Sequence, residues 1–480
     1  MMYSAENSFL LGGTLVQTQA IVKRLSDNFQ NDLEDIRSFL RIPSISYTGE
    51  GILNTAEAVK KWIESLGGTA RLVRIEGGYH PVVFGKIDGS APRTILIYGM
   101  YDVMPADEPG WISPPFAAEI HDWESLGPCI INRGATNTKG PLAAFFAALR
   151  AIKEVDGKLP VNLIFAIEGE EEYGSKSFPG FVDAHLAELR EAEAALFPIF
   201  MTDASGVPTI RLGTKGPLYF ELTCRGGDWG GPTERGIHGS NNVWIANPVW
   251  RLVNALSTMV DGEQRVVIDG FFDGVRGPTE EDRRLCETLA RTQDLGKELA
   301  GNAVKRFKWR LEGADLFLHA HTQPQLNIDG IWGGYTGPGS KTLLPHEATV
   351  KMDVRMVPDQ APDEVVQAIR RHLDAKGYRD IEMKVIIKYP WSKVSLDEPV
   401  VQALVQSYRQ LNAEPAVFPL NLGSAPFYVF DRTLDIPYAF GGLGHGGRAH
   451  SSNEYCVVRR LLTFEESMVR FFDNYLRLAK

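Results

Sequence analysis

The sequence predicts an α/β protein: one domain on a mixed, mostly parallel sheet, interrupted by an inserted α+β domain. Two short, almost wholly apolar runs, Thr94–Tyr98 and Val161–Ile167, read as strands buried on both faces, the pattern of parallel sheets. Apolar residues at helical spacing from Pro141 to Val155 separate them, as a crossover helix would. With 480 residues the chain exceeds the size at which one core keeps growing, so two domains are expected.

Taken in order, Ile21–Leu40 is an amphipathic helix that ends before Pro43. The two buried strands deliver polar residues at their ends, where open α/β sheets place their chemistry: Gly99 to Asp102 after the first, Glu168 to Glu172 after the second. From Gly216 to Lys388, strands such as Leu218–Thr223 and Ala348–Val354 alternate with helices such as Asn247–Val260 and Asp363–Lys376. Helical spacing returns from Pro399, and a glycine-rich turn, Gly441 to Gly447, precedes His450. The expected partition is therefore 1–215 and 391–480 for the first domain and 216–390 for the insertion.

Apolar residues make up 44% and charged residues 23%, an ordinary globular balance, so the whole chain should fold. A net charge of -10, with no basic run longer than Arg370-Arg371-His372, excludes a nucleic-acid partner and leaves small molecules or peptides. Cys129, Cys224, Cys286 and Cys456 lie far apart, without the spacing of a thiolate metal site or a disulfide framework, and read as buried free thiols. Met1 to Ala20 carries Glu6 where a signal peptide has positive charge, and no apolar run is long enough to span a membrane; a cytoplasmic protein is expected.

Three segments can carry chemistry. Glu168-Gly169-Glu170-Glu171-Glu172 follows a buried strand; crowded carboxylates there repel, which suits one metal ligand beside one proton acceptor. Arg133 to Gly140 opens a helix, with Asn137 open to a plain reading as its N-cap. His450-Ser451-Ser452-Asn453-Glu454 follows the glycine-rich turn, and its histidine is either a ligand or a structural hydrogen-bonder.

In this order, Gly99 to Pro105 with Trp111 and Pro115-Phe116, Arg133 to Gly140, Glu170 to Ser175, Asp203, Asp353 to Pro358, and His450 to Glu454 resemble a co-catalytic metallopeptidase and deacylase family. That family includes carnosinases, acetylornithine deacetylase, succinyl-diaminopimelate desuccinylase and carboxypeptidase G2. The resemblance spans about Leu40 to Phe472 and implies two zinc ions joined by a bridging carboxylate and water. It implies Glu172 and His450 as ligands of one zinc, Asp203 as ligand of the other, and Glu171 as general base. The family's histidine ligand falls on Met100 and its bridging aspartate on Asn137. Thioether sulfur is a poor zinc ligand, and a neutral amide lacks the charge that holds two cations together, so one zinc or manganese on Glu172, His450, Asn137 and Asp203 is expected instead. Asp102, which orients the missing histidine in the family, is left free to turn inward, and His445 is a further candidate for compensation or a loop hydrogen bond.

The resemblance further implies that the first domain is catalytic, that the insertion is a lid and dimerisation domain, and that its His238 stabilises the oxyanion, although the spacing around His238 departs from the family's form. Arg355 and Thr342 would bind a substrate carboxylate, with Ser424 a further contact. Water activated by the metal would lose its proton to Glu171, which passes it to the leaving nitrogen. The expected function is metal-dependent hydrolysis of a C–N bond in a dipeptide or acyl-amino-acid-like carboxylate, by a homodimer or larger homo-oligomer formed through the insertion. Two other readings stand beside it: an aminohydrolase acting on an unusual C–N bond such as an aromatic amine, and a non-catalytic binding protein with a decayed metal site. Trp229, Trp244 and Trp332, all in the insertion, are expected in its core.

Overall fold

A computed structural model describes residues 17–203 and 205–478. The segment inspected for a targeting signal therefore lies, up to Val16, outside the described residues. The chain divides into two compact units, one comprising Met1–Ile210, Val394–Val417 and Val429–Lys480, the other Arg211–Lys393 and Phe418–Tyr428. The second unit thus takes in a short segment that the sequence partition left with residues 391–480. Backbone bonds hold it there: Asn421 donates to Gly213 O at 2.7 Å and Lys215 to Gly423 O at 3.2 Å.

In the first unit a six-stranded sheet runs in the order Thr69–Val73, Val82–Ile87, Val161–Glu168, Ala91–Met100, Ala194–Pro198, Tyr438–Gly441. The first two pairings are antiparallel and the remaining three parallel. Val161–Glu168 is buried along its length except at Asn162, which explains its continuous apolar sequence. Helices Thr18–Leu40, Lys139–Asp156 and Val458–Leu478 pack on one another. Phe146, on the second of these, stacks on Phe165 of the sheet with centroids 5.6 Å apart. Burying such side chains contributes about 1.5–3 kcal/mol each.

A smaller sheet of the same unit, Gly446–Gly447, Tyr455–Val457, Gly127–Ile131 and Glu119–Trp123 in that order, has strands too short for sequence pattern to reveal. It matters for function, because pairing of Tyr455–Val457 with Cys129–Ile131 brings the loop after His450 beside the loop that enters helix Lys139–Asp156.

The second unit holds an antiparallel sheet ordered Gln325–Gly333, Glu347–Met356, Gly216–Arg225, Glu382–Lys388. Leu252 and Ala255 of helix Pro248–Ser257 and Val365, Ile369 and Leu373 of helix Pro362–Ala375 fill its core with Phe220, Leu222, Val350 and Val354. Trp229 packs partly buried against this core, but Trp244 and Trp332 are 76% and 46% exposed, contrary to expectation. Trp332 stands on an edge strand and Trp244 ends a short helical turn, so among the described residues neither is covered by a second apolar layer. All four cysteines are buried and free, and burial pushes the Cys129 thiol up to about 11, which makes it inert. Among the described residues no helix is long and apolar enough to cross a membrane.

Candidate functional site

The site grows from the ends of two adjacent parallel strands. Ala91–Met100 leads into Asp102, and Val161–Glu168 leads through Gly169 into a short helical turn, Glu171–Tyr173. Gly169 has no room for a side chain, since a Cβ there would lie 2.4 Å from the Tyr101 ring. Asp102 is fully buried and accepts the backbone N–H groups of Glu171 at 3.2 Å and Glu172 at 3.0 Å. It has turned inward to fix the turn that carries both glutamates. Burial, reinforced by the charge of Glu172, raises its carboxyl to about 7. Glu170 serves the same turn, accepting the backbone N–H of Tyr79, that of His80 at 2.6 Å and the Ser177 hydroxyl at 2.8 Å.

Beneath the turn, Glu168 accepts the hydroxyls of Tyr98 at 2.6 Å and Ser175 at 2.9 Å, and burial raises its carboxyl to about 8. Burial, followed by the charges of Glu172, Asp102 and Glu168, lifts Glu171 well above the usual carboxylate range. Carboxylates crowded in this way are relieved by a nearby cation.

Asn137 and His450 arrive from the loops joined by the small sheet. The Asn137 amide donates to Glu172 Oε1 at 2.6 Å and lies 2.9 Å from His450 Nε2, which is 3.2 and 3.1 Å from the two Glu172 oxygens. Hydrogen bonding to Glu172 raises the imidazole pKa. Thr138, not Asn137, is the N-cap of the following helix, so the N-cap reading of Asn137 is corrected: its side chain is committed to Glu172 and His450. Arg448 and His450 hold left-handed backbone, at φ 59° and 62°, a conformation that costs about 1–2 kcal/mol per non-glycine residue and that clusters at functional loops.

Glu454 and Arg133 order these loops, and their roles were missed in the sequence although both lie in quoted segments. Glu454 is fully buried and accepts the backbone N–H of Thr136 at 3.0 Å and of Asn137 at 2.9 Å, while its other oxygen pairs with Arg133 at 2.9 Å. Arg133 also donates to Glu108 at 2.5 Å and to Ser451 O at 3.2 Å. No local signal marks a pair 321 residues apart.

The other expected residues are engaged differently, Met100 at the strand end beside Glu168, where its carbonyl accepts the Thr138 hydroxyl at 3.3 Å. Met100 is buried. Asp203 closes its own turn, accepting the Ser205 hydroxyl at 2.7 Å and the Val207 N–H at 2.8 Å. His445 makes loop hydrogen bonds, with Nδ1 2.6 Å from Thr202 O and Nε2 3.4 Å from the Tyr455 hydroxyl, so it does not replace a missing ligand. Among the described residues no group of three or more His, Cys, Asp or Glu side chains is arranged to hold a metal; the third member of the Glu172–His450 group is an amide.

In the second unit the expected lid residues fall into two pairs. Strand Ile237–His238 pairs with Leu343–Leu344, which brings exposed His238 beside Thr342; His238 Nδ1 lies 2.7 Å from the Ser240 hydroxyl. Arg355 donates to the Ser424 hydroxyl at 2.8 Å and to the hydroxyl of Tyr219, whose ring lies 5.1 Å from the guanidinium carbon. Tyr219 went unmarked in the sequence because a tyrosine in an alternating strand carries no signal of its own.

The profile of Peptidase family M20/M25/M40 matches residues 96–474. The chain is 31% identical over 331 residues to the human Beta-Ala-His dipeptidase, covering 65% of this chain and 61% of that protein. It is 29% identical over 371 residues to the Cys-Gly metallodipeptidase of Schizosaccharomyces pombe, covering 74% of each. A solved M20 family metallo-carboxypeptidase from Sulfolobus solfataricus is 33% identical, with TM-score 0.83 over 92% of this chain and 99% of that one. The dipeptidase Dug1p of Saccharomyces cerevisiae, 22% identical with TM-score 0.81 over 97% and 99%, shares the fold. With the profile matching well over half its length, the chain belongs to Peptidase family M20/M25/M40.

Proposed function

We propose that this chain hydrolyses a C–N bond in a dipeptide or acyl-amino-acid-like carboxylate, using one divalent cation held by Glu172, His450 and Asn137. The observation that carries the reading is the mutual spacing of those side chains, 2.6 to 3.2 Å. Ligands about 2.1 Å from a common ion stand about 3.0–3.4 Å apart, so the His450–Glu172 spacing of 3.1 to 3.2 Å fits a shared cation, and Asn137 joins it once its amide turns its oxygen inward and moves out by a few tenths of an ångström. A second cation lacks its usual partners here, since Met100 offers only a buried thioether and Asn137 a neutral amide in place of a bridging charge. Zinc or manganese suits the oxygen and nitrogen donors.

Such a cation, when bound, supplies the Lewis acidity that polarises a scissile carbonyl and acidifies water. The rest of the chemistry falls to the chain. Glu171, on a turn pinned by Asp102, moves the proton from the attacking water to the leaving nitrogen. Arg355, its guanidinium set by Ser424 and Tyr219, takes the substrate carboxylate in two-pronged fashion, and Thr342 and His238 supply further polar contacts, His238 to the oxyanion. The chain works as a homodimer through the second unit. Exposed Trp244, Trp250, Ile331 and Trp332, with the free edge of strand Gln325–Gly333, support this reading, since such apolar surface marks an interface.

The test is to chelate the full chain, restore zinc or manganese, and follow amino-group release from Cys-Gly, β-Ala-His and N-acyl amino acids. Hydrolysis restored by metal, with kcat reduced about 100-fold or more in Glu171→Gln, is expected. Metal-loaded protein inert on every member, or Glu171→Gln as active as the parent, contradicts the proposal.

A further inference from the structure

A cleft of about 720 Å³, within the range of small-molecule sites, lies wholly in the second unit and includes none of the residues discussed above as ligands or substrate contacts. Its walls come from the turn at Gln264–Val266, the segment 307–311, helix Gly313–Thr322 and the start of strand Gln325–Gly333. Lys215, Arg265, Lys308 and His319 line it, and no Asp or Glu does, although the chain carries a net charge of -10.

The basic groups differ in what they have to offer. Arg265 is engaged with Glu263 at 2.5 Å and Asp261 at 3.6 Å. Lys215 is 4% exposed, and its ammonium donates to the carbonyls of Ala320 and Gln323 at 2.7 and 2.8 Å. The nearby Arg355 is also positive, and among the described residues no carboxylate forms an ion pair with Lys215 or Lys308. A buried ammonium satisfied only by carbonyl dipoles leaves its charge uncompensated, so an anion in the cleft would be favoured.

The aromatic wall is built with equal care. The Trp309 indole N–H donates to Glu263 O at 2.6 Å, His319 packs edge-on against the ring at 4.8 Å, and the Lys308 ammonium lies 4.7 Å from its centroid. Trp309 and Arg310 are both left-handed, at φ 53° and 56°. Two adjoining strained non-glycine residues hold this ring in the wall, the kind of outlier found at ligand clamps. Phe307 and Phe272 extend the apolar face.

We propose that this cleft binds a small aromatic carboxylate, its ring against Trp309 and Phe307 and its charge among Lys215, Lys308 and His319. Two point-charge lysines, with no glycine-rich loop on the lining to cradle a phosphate, suit a singly charged group. Binding here requires neither the metal nor hydrolysis at Glu171.

Titration calorimetry of the full chain, before and after chelation, tests this with indole-3-acetate and the neutral indole-3-acetamide. The acid is expected to bind about tenfold or more tightly than the amide, with or without metal. Lys308→Gln, at an exposed position, should weaken the acid about fivefold without changing amide binding, and Trp309→Leu should weaken both. Equal binding of acid and amide, a Lys308→Gln variant indistinguishable from the parent, or no binding of the acid at millimolar concentration overturns the proposal. Failure of the hydrolase reading would show in the activity assay and leave these isotherms unchanged.

Discussion

The Asn137 amide spans Glu172 and His450, 2.6 Å from a carboxylate oxygen of one and 2.9 Å from Nε2 of the other. A neutral donor therefore stands where the resemblance implies a charge shared by two metals. Asn137→Asp would replace it with a second carboxylate beside Glu172, and like charges at that range repel strongly in a half-buried site. The metal-free variant should melt several degrees below the parent, and added zinc should reverse the order by binding about tenfold or more tightly. Differential scanning calorimetry with and without zinc checks both signs; a metal-free variant more stable than the parent contradicts the assignment.

Arg133 and Glu454 are both fully buried and paired at 2.9 Å, and Glu454 also holds the backbone of Asn137. Removing one partner strands the other's charge, at a cost of about 3–5 kcal/mol. Arg133→Met should lower unfolding free energy in urea by that amount, and Glu454→Gln, which keeps a hydrogen-bonding side chain, by less. Variants within about 0.5 kcal/mol of the parent would show that the pair does not order the loop.

These two examples mark how far the sequence was legible. Val161–Glu168 and Lys139–Asp156 announce themselves because a continuous apolar run and a helical period each arise from burial on specific faces. The glutamates after Val161–Glu168 were legible by their position at the strand end. The partners of Asn137 were not: its orientation depends on a carboxylate from Glu454 and on a sheet of strands two to five residues long, and neither leaves a periodic trace. Transfer of Phe418–Tyr428 to the second unit was equally silent, being fixed by loop backbone bonds.

If Arg355 takes the substrate carboxylate, its planar fork matters more than its charge. Arg355→Lys keeps the charge but loses the two-pronged contact and the register with Ser424 and Tyr219. KM should rise about ten- to hundredfold with a smaller change in kcat. Steady-state kinetics on a hydrolysed dipeptide decide this, and an unchanged KM would exclude the role.

Stability should also carry an acid limb from the second unit. His321 is buried with Nδ1 2.7 Å from Leu420 O, and burial, with nearby Lys215 and Arg211, lowers its pKa to about 4, partly offset by that carbonyl and Asp282. Because the folded value lies below the ordinary 6.5, the unfolded chain binds the proton first as pH falls. Stability is therefore lost progressively from about pH 6.5 to 4, by on the order of 3 kcal/mol from this group. His321→Gln should flatten that limb in urea melts across the range, and an identical pH slope in parent and variant would contradict the argument.

The central claim is one cation on Glu172, His450 and Asn137. Elemental analysis of full-length protein equilibrated with zinc tests it most directly, alongside His450→Ala, Glu171→Gln and Met100→His/Asn137→Asp. One zinc per chain is expected in the parent and in Glu171→Gln, with loss of that zinc in His450→Ala and a rise toward two in the double variant. Two zinc ions per chain in the parent, or one retained in His450→Ala, would contradict the account.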